Sequence, residues 1–394
     1  MGKFHSPRSA PVATFSMADF SLRCLLGGIT PEVFLAEYWQ KKPLLVRQAL
    51  PGFGDWLDRG RLSELAMRDD AESRLVRFMR GQCLLDHGPF EADDLAGLPK
   101  KNWSLLVSGV NHFLPDGDAL LHAFDFIPLA RLDDLMVSFA PPGGGVGPHF
   151  DSYDVFLIQG QGRRRWEISA QDDLEVMDDA PLRILKRFQP DQSWELDPGD
   201  MLYLPPQYAH NGVALTACMT WSVGFRVPTA ADMVGNFLNY LHDHLSPTGL
   251  YSDPDLKRPR HPAEIPDTML NQVAAMLKAV RWDKNAVEDF LGRYLSEPKS
   301  HIFFDPPHPP LKPASFSKLA AKQGVRLDPR SQLLFRGSLF YMNGERVEAP
   351  PEILAILRSL ADRRRLPPTT PTESLLPILH EWYISGYLLP GTAQ

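Results

Sequence analysis

His149 and Asp151 stand two positions apart at the end of a glycine-rich run, Pro141-Pro142-Gly143-Gly144-Gly145-Val146-Gly147-Pro148-His149-Phe150-Asp151. In an extended strand residues i and i+2 project to one face, so the imidazole and the carboxylate lie side by side. Two adjacent ligands of one metal ion need that spacing. A third ligand has to come from a distant strand, and His210, in Leu202-Tyr203-Leu204-Pro205-Pro206-Gln207-Tyr208-Ala209-His210-Asn211, is the best candidate. Two neutral imidazoles and one carboxylate on one side of an ion form the facial triad of non-haem Fe(II) oxygenases. The opposite face stays open: a 2-oxoacid takes two positions and O2 the third, which couples substrate oxidation to decarboxylation. His-x-Asp alone arises often by chance, and a histidine after a turn is often only structural. The glycine-rich approach, the strand behind it and the downstream Pro-Pro-x-x-x-His favour the metal.

The next strand carries a second test. Gly160-Gln161-Gly162 is a tight turn, after which Arg163-Arg164-Arg165-Trp166-Glu167-Ile168 alternates. Trp166 and Ile168 share a face with Arg164, while Arg163, Arg165 and Glu167 take the other. If the apolar pair marks a barrel interior, Arg164 points inward. A buried guanidinium is costly unless an anion meets it, and the distal carboxylate of 2-oxoglutarate would do so bidentately. A basic surface turn accounts better for Arg163 and Arg165 than for Arg164.

The run from Gly143 through Phe150-Asp151, Tyr153-Asp154-Val155-Phe156-Leu157-Ile158-Gln159 and Arg163-Arg164-Arg165-Trp166 resembles the bacterial ribosomal oxygenases of the JmjC/cupin type. The resemblance extends to Leu196-Asp197-Pro198-Gly199-Asp200-Met201-Leu202-Tyr203-Leu204-Pro205-Pro206, to Ser222-Val223-Gly224-Phe225-Arg226 and to the layout of the whole chain. It implies a 2-oxoglutarate-dependent hydroxylase acting on an arginine of the large-subunit ribosomal protein L-sixteen. Human relatives of this group hydroxylate histidines, so the type of target residue is an open part of the implication. Tyr153 and Asp154, next to the triad, are candidates to meet a guanidinium.

At 394 residues the chain suggests two or three domains, and its 44% hydrophobic content is ordinary for a globular protein. No apolar run approaches the ~18 residues of a membrane span. Three cysteines, Cys24, Cys83 and Cys218, contain no CxxC pair, so neither a disulfide framework nor a zinc knuckle is indicated. A cytoplasmic protein is expected. The net charge of −7 argues against wholesale nucleic-acid binding, but it is uneven. From Pro310 onward 11 Lys/Arg stand against 7 Asp/Glu, which leaves −11 on the remainder. An acidic body would attract a basic partner such as a ribosomal protein, although ordinary solvated surface explains the charge as well.

In chain order, residues 1–15 read as a disordered terminus and 16–228 as a JmjC/cupin catalytic domain. Thr30-Pro31 opens a helix, and evenly spaced strands follow at Leu135 to Ala140, Val155 to Gln159, Arg163 to Ser169, Ile184 to Phe188, Met201 to Leu204 and Thr216 to Arg226. Such spacing indicates a double-stranded β-helix, a jelly-roll relative. Ser138, Thr220 and Ser222 are hydroxyls on these strands that could help hold the co-substrate. Cys83, His87, His112 and His122 lack ligand spacing. Residues 229–305 have helical periodicity over Thr229 to Leu245, Ile265 to Val280 and Lys284 to Leu295; with no sheet of their own, they suit a homodimer interface, and the resembled family is dimeric there. Residues 306–394 read as a winged helix, with Asn343-Gly344 at a hairpin turn. The expected class is therefore α+β: a JmjC/cupin jelly roll, a helical dimerisation region and a C-terminal winged-helix domain. His149, Asp151 and His210 hold Fe(II) in this reading, and Arg164 anchors 2-oxoglutarate. The rivals are a JmjC histidyl or RNA hydroxylase, and a winged-helix transcription regulator whose cupin domain senses a metabolite through its metal. Nucleic acid is not the expected partner, although Arg363-Arg364-Arg365 would suit a duplex.

Overall fold

Strands whose two faces are both apolar have to be covered on both sides, and here that produces two facing sheets with helices behind the larger one. The computed structural model describes residues 22–52, 54, 56–79, 82–245 and 248–391; the terminus expected to be disordered, 1–15, lies outside them. The strands are β1 (Leu44–Val46), β2 (Ser73–Met79), β3 (Gln82–His87), β4 (Trp103–Val107), β5 (Leu132–Ala140), β6 (Val155–Gln161), β7 (Arg164–Ser169), β8 (Gln192–Leu196), β9 (Met201–Leu204), β10 (Ala209–Ala214) and β11 (Cys218–Phe225). The larger sheet has the order β1-β9-β6-β11-β5-β4-β2-β3 and the smaller one β10-β7-β8. Period-two alternation divides the core. Val155, Leu157, Leu202 and Leu204 face Trp166, Ile168 and Leu196 between the sheets, whereas Phe156, Ile158, Met201 and Tyr203 join the core behind the larger sheet. Phe34 fills that outer core, 4.9 Å from the Tyr203 ring and 5.5 Å from Phe156. Its helix, Pro31–Glu37, is capped by Thr30, whose hydroxyl accepts the Val33 N–H.

Two expectations need correction. The segment Ile184 to Phe188 is not a strand: Val176 and Leu185 form one isolated bridge. The excursion between β7 and β8 is laced instead by ion pairs of Lys186 and Arg187 with Asp173, Glu175 and Asp178. Nor does a regular strand start at His149, since β6 begins at Val155 and His149 makes a single bridge with His210.

Helices Ala230–His244, Asp267–Ala279 and Lys284–Ser296 follow, with Phe237 packed on Phe290 at 5.2 Å and on Trp282 at 5.6 Å. The last unit has its own core, around Phe316, Phe340, Leu357 and Trp382. Its hairpin strands Leu339–Met342 and Glu345–Glu348 are joined through Asn343 and Gly344, both at positive φ as the tight turn requires. Arg364 caps the helix Leu354–Arg363 and is buried, donating to the carbonyls of Ser331 and Asp328.

Asp154 is completely buried and serves the fold. It accepts the Tyr203 hydroxyl at 2.6 Å and the Gln40 amide at 3.0 Å, with Arg131 3.6 Å away. The guanidinium it meets is the chain's own. Asp154→Ala strands these donors in the core and is expected to cost about 3 kcal/mol in urea unfolding while leaving the elements near His149 intact.

Candidate functional site

The glycine-rich run is positioned by β10. The Gly143 N–H donates to the Ala214 carbonyl at 2.8 Å, the Ala214 N–H to Gly144 at 2.9 Å, and His149 and His210 exchange both backbone bonds at 2.9 and 2.8 Å. The Gln207 N–H closes the other end on the Asp151 carbonyl at 2.7 Å. So close an approach explains the glycine at 145, where a Cβ would lie 2.5 Å from the Gly212 carbonyl oxygen. Gly147, at φ +83°, turns the chain into Pro148 and His149.

Directly opposed on this ladder, the His149 and His210 rings have centroids 4.2 Å apart. Each Nδ1 lies against a backbone carbonyl, that of Gly147 for His149 (2.9 Å) and that of Tyr208 for His210 (2.8 Å). A carbonyl only accepts, so both Nδ1 atoms carry the proton and both Nε2 lone pairs are free. Burial, and then the neighbouring His149 imidazole, push the His210 pKa down to about 4, which keeps it neutral. Asp151 Oδ2 is 3.6 Å from His210 Nε2, and one ligand atom from each of His149, Asp151 and His210 lies within 4.8 Å of the others. Among the described residues this is the one such group of three. The donor set suits a divalent ion with an open face.

Arg164 leaves β7 inward and crosses to the larger sheet. Its Nη1 donates to Thr220 Oγ1 at 3.0 Å and to Ser138 Oγ at 3.3 Å, and Thr220 is fixed in turn by Gln159 at 3.1 Å. Its guanidinium lies 5.3 Å from the Trp166 ring. Burial lowers its pKa, and no carboxylate among the described residues pairs with it. Arg164 Nε and Trp166 Nε1 are buried donors without an acceptor. Both residues line the cavity of about 240 Å³ that the triad opens into. An anion there would offset the cost of an unpaired buried cation.

Tyr153, Ser138, Thr220 and Ser222 line this cavity, and Asp154 does not. Loss of hydration, then the Asp151 carboxylate, raise the Tyr153 phenol. The sequence reading missed the far end of the cavity, formed by Glu72, Arg74, Asp133, Asp134 and Lys299. A signal for part of it existed: Asp134, Met136 and Ser138 alternate along β5 and all face the cavity. Nothing in the sequence brings Lys299 near it.

The JmjC domain family matches residues 119–233 and the ROXA-like winged helix matches residues 279–388. The chain is 37% identical over 336 residues to the ribosomal protein uL16 3-hydroxylase of Escherichia coli, covering 83% of this chain and 88% of the relative. It belongs to the ribosomal oxygenase family. A second ribosomal oxygenase relative, the probable enzyme of Haemophilus influenzae, is 38% identical over 259 residues, 62% of this chain and 59% of that one. The X-ray structure of E. coli ycfD superposes with a TM-score of 0.80 at 34% identity, over 92% of this ribosomal oxygenase and 98% of that chain. A structure of YcfD in complex with cobalt and 2-oxoglutarate matches over the same shares with a TM-score of 0.76. No described helix is long and apolar enough to cross a membrane.

Proposed function

We propose that the protein is an Fe(II)- and 2-oxoglutarate-dependent hydroxylase that adds a 3-hydroxyl to an arginine of the large-subunit ribosomal protein uL16. His149 Nε2, Asp151 and His210 Nε2 hold the iron, and Arg164 with Thr220 and Ser138 receives the distal carboxylate of 2-oxoglutarate. The observation that carries this reading is the pairing, in one cavity, of a three-ligand metal group with a buried arginine that lacks an anion. A metabolite sensor needs a metal but has no obligatory dicarboxylate. When bound, Fe(II), 2-oxoglutarate and O2 supply hydroxylation of an unactivated C–H bond coupled to oxidative decarboxylation.

The chain's own residues do the rest. Carbonyls of Gly147 and Tyr208 hold the imidazoles in the ligating tautomer. Trp166, Leu157 and Val155 give the same cavity apolar surface, which strengthens electrostatic contacts by excluding water. At the far end, the carboxyl groups of Asp134 and Glu72 offer acceptors suited to a guanidinium, which favours arginine over a neutral imidazole as the target. The YcfD complex with cobalt and 2-oxoglutarate supports the choice of cofactors, and the name of the E. coli relative supports the substrate. A transcription regulator is disfavoured, because Arg364 of the basic triplet is buried in its own domain.

The same reading makes the protein a cytoplasmic homodimer through its helical region. Val234 and Leu238 on one helix, and Leu270 and Leu277 on the next, are large apolar side chains more than half exposed in the single chain. A second copy would cover them. Light scattering of the purified protein should give twice the chain mass, and Leu238→Asp combined with Leu277→Asp should give the chain mass; a wild-type monomer ends the dimer reading.

Intact-mass analysis of ribosomal proteins decides the activity. In cells lacking this chain uL16 should be lighter by one oxygen atom, and an unchanged mass for every ribosomal protein would sink the assignment. Two variants separate the site roles. Asp151→Ala should weaken Co(II) binding on the order of a hundredfold by calorimetry. Arg164→Met should leave Co(II) binding intact and raise KM for 2-oxoglutarate on the order of a hundredfold, the value of two charge-assisted hydrogen bonds.

A further inference from the structure

Lys299 belongs to neither sheet. It follows the helix Lys284–Ser296, in a turn closed by the Ile302 N–H on its own carbonyl at 2.9 Å, yet it lines the cavity that holds His149, Asp151 and Arg164. Its ammonium lies 3.0 Å from Asp133 Oδ1, and Arg226 Nε approaches the same oxygen at 3.3 Å. The neighbouring Asp134 is arranged differently. One of its oxygens accepts the Gly109 N–H at 2.8 Å, and no cation among the described residues is within ion-pair distance of it. So Asp133 is paired from two sides, and the second oxygen of Asp134 stays available to a donor in the cavity.

We propose that Lys299 is a positioning and specificity residue for a cationic substrate side chain: it occupies Asp133 so that Asp134 alone meets the incoming guanidinium. The inference rests on the arginine-hydroxylase reading above. Two adjacent carboxylates in a partly dry site cannot both stay ionised without a cation, and one of them takes up a proton. Burial raises the Asp134 carboxyl, Lys299 opposes this, and Asp133 and Glu72 add to it. On the other side Lys299 faces Arg226 and the half-buried His112, which loss of hydration keeps neutral. Asp134 in turn faces the phenol of Tyr153, beside which Arg74 lies. Removing the Lys299 charge would leave Arg226 alone to balance both carboxylates, so the pair takes up a proton more readily and Asp134 weakens as an acceptor. A mere tether is not required here: Arg226 Nη1 already ties the end of the helix, donating to the Leu295 carbonyl at 3.0 Å.

The test uses the full-length protein with uL16 as substrate, reading turnover with Fe(II) and calorimetric binding with Co(II) in place of iron. Lys299→Met should raise both KM and Kd for uL16 about tenfold near pH 7, the weakening of one charge-assisted contact. KM for 2-oxoglutarate should not move, and the loss should shrink as the pH is raised and the carboxyl groups ionise. Lys299→Arg should behave as wild type. The double variant Asp133→Asn with Lys299→Met should recover part of the uL16 binding lost near pH 7, because Asp134 then no longer shares its site with a second adjacent carboxylate. This variant and the arginine variant keep the test decisive should the methionine variant fold poorly. The inference falls if Lys299→Met matches wild type, if its loss is independent of pH, if both substrates weaken together, or if the double variant shows no rescue. Wild-type protein that fails to bind uL16 would instead overturn the arginine-hydroxylase reading, and this inference with it.

Discussion

The site depends on one stretch of backbone pairing, the lie of the glycine-rich run along β10. Side chains as short as histidine and aspartate cannot search for an ion; their backbone must already be within a few ångströms of the right place. The reciprocal bonds between His149 and His210 provide that. The pairing also leaves no space for a Cβ at Gly145, which explains why the approach is written in glycine. The same ladder sets the register of β10 on β7, where His210 opposes Ile168 and Ala214 opposes Arg164. Triad and buried arginine are thus fixed relative to each other through one three-stranded sheet.

The arginine shows how far this fold departs from what stability alone would select. An apolar residue at 164 would join Trp166 and Ile168 in the inter-sheet core. The chain instead keeps a cation there, held by two hydroxyls on the opposite sheet and a tryptophan face, with a donor left unmatched. Hydroxyls orient a guanidinium but do not neutralise it. A local rule broken at a cavity wall, with no compensating gain in the folded chain itself, marks a place kept for something that binds.

The C-terminal units are more than an appendage. Arg226, just past the end of β11, holds the helix Lys284–Ser296 by the Leu295 carbonyl, and the segment beyond that helix sends Lys299 back to the cavity of the triad. Arg364, from the winged-helix unit, faces Asp118 of the catalytic domain at 3.6 Å. Burial would raise the Asp118 carboxyl, but Arg364 and His122 hold it down to about 2. The winged-helix unit therefore braces the same domain from which the cavity is built, while one arginine of its basic triplet is withdrawn from the surface.

The sequence by itself determined the local and the periodic. His-x-Asp spacing, inward alternation of Arg164 with Trp166 and Ile168, the Thr30 cap, the Asn343-Gly344 turn and the helical repeats after Thr229 depend on neighbours a few residues apart, and pattern reads them well. Strands β8 and β10 were harder. The first is exposed at three of its five positions, and the second is short and adjoins a Pro-Pro bend. Asp154 and Tyr153 were indistinguishable in sequence, and only the packing of Tyr203 decided that the acid belongs to the core. Tertiary structure alone brought His210 opposite His149 and set the hydroxyls of Ser138 and Thr220 against Arg164. It alone delivered Lys299 to Asp133 from 166 positions along the chain. The physical reason is the same for all three: such contacts join strands and turns far apart in the chain, and the register between them is fixed by how the whole core packs.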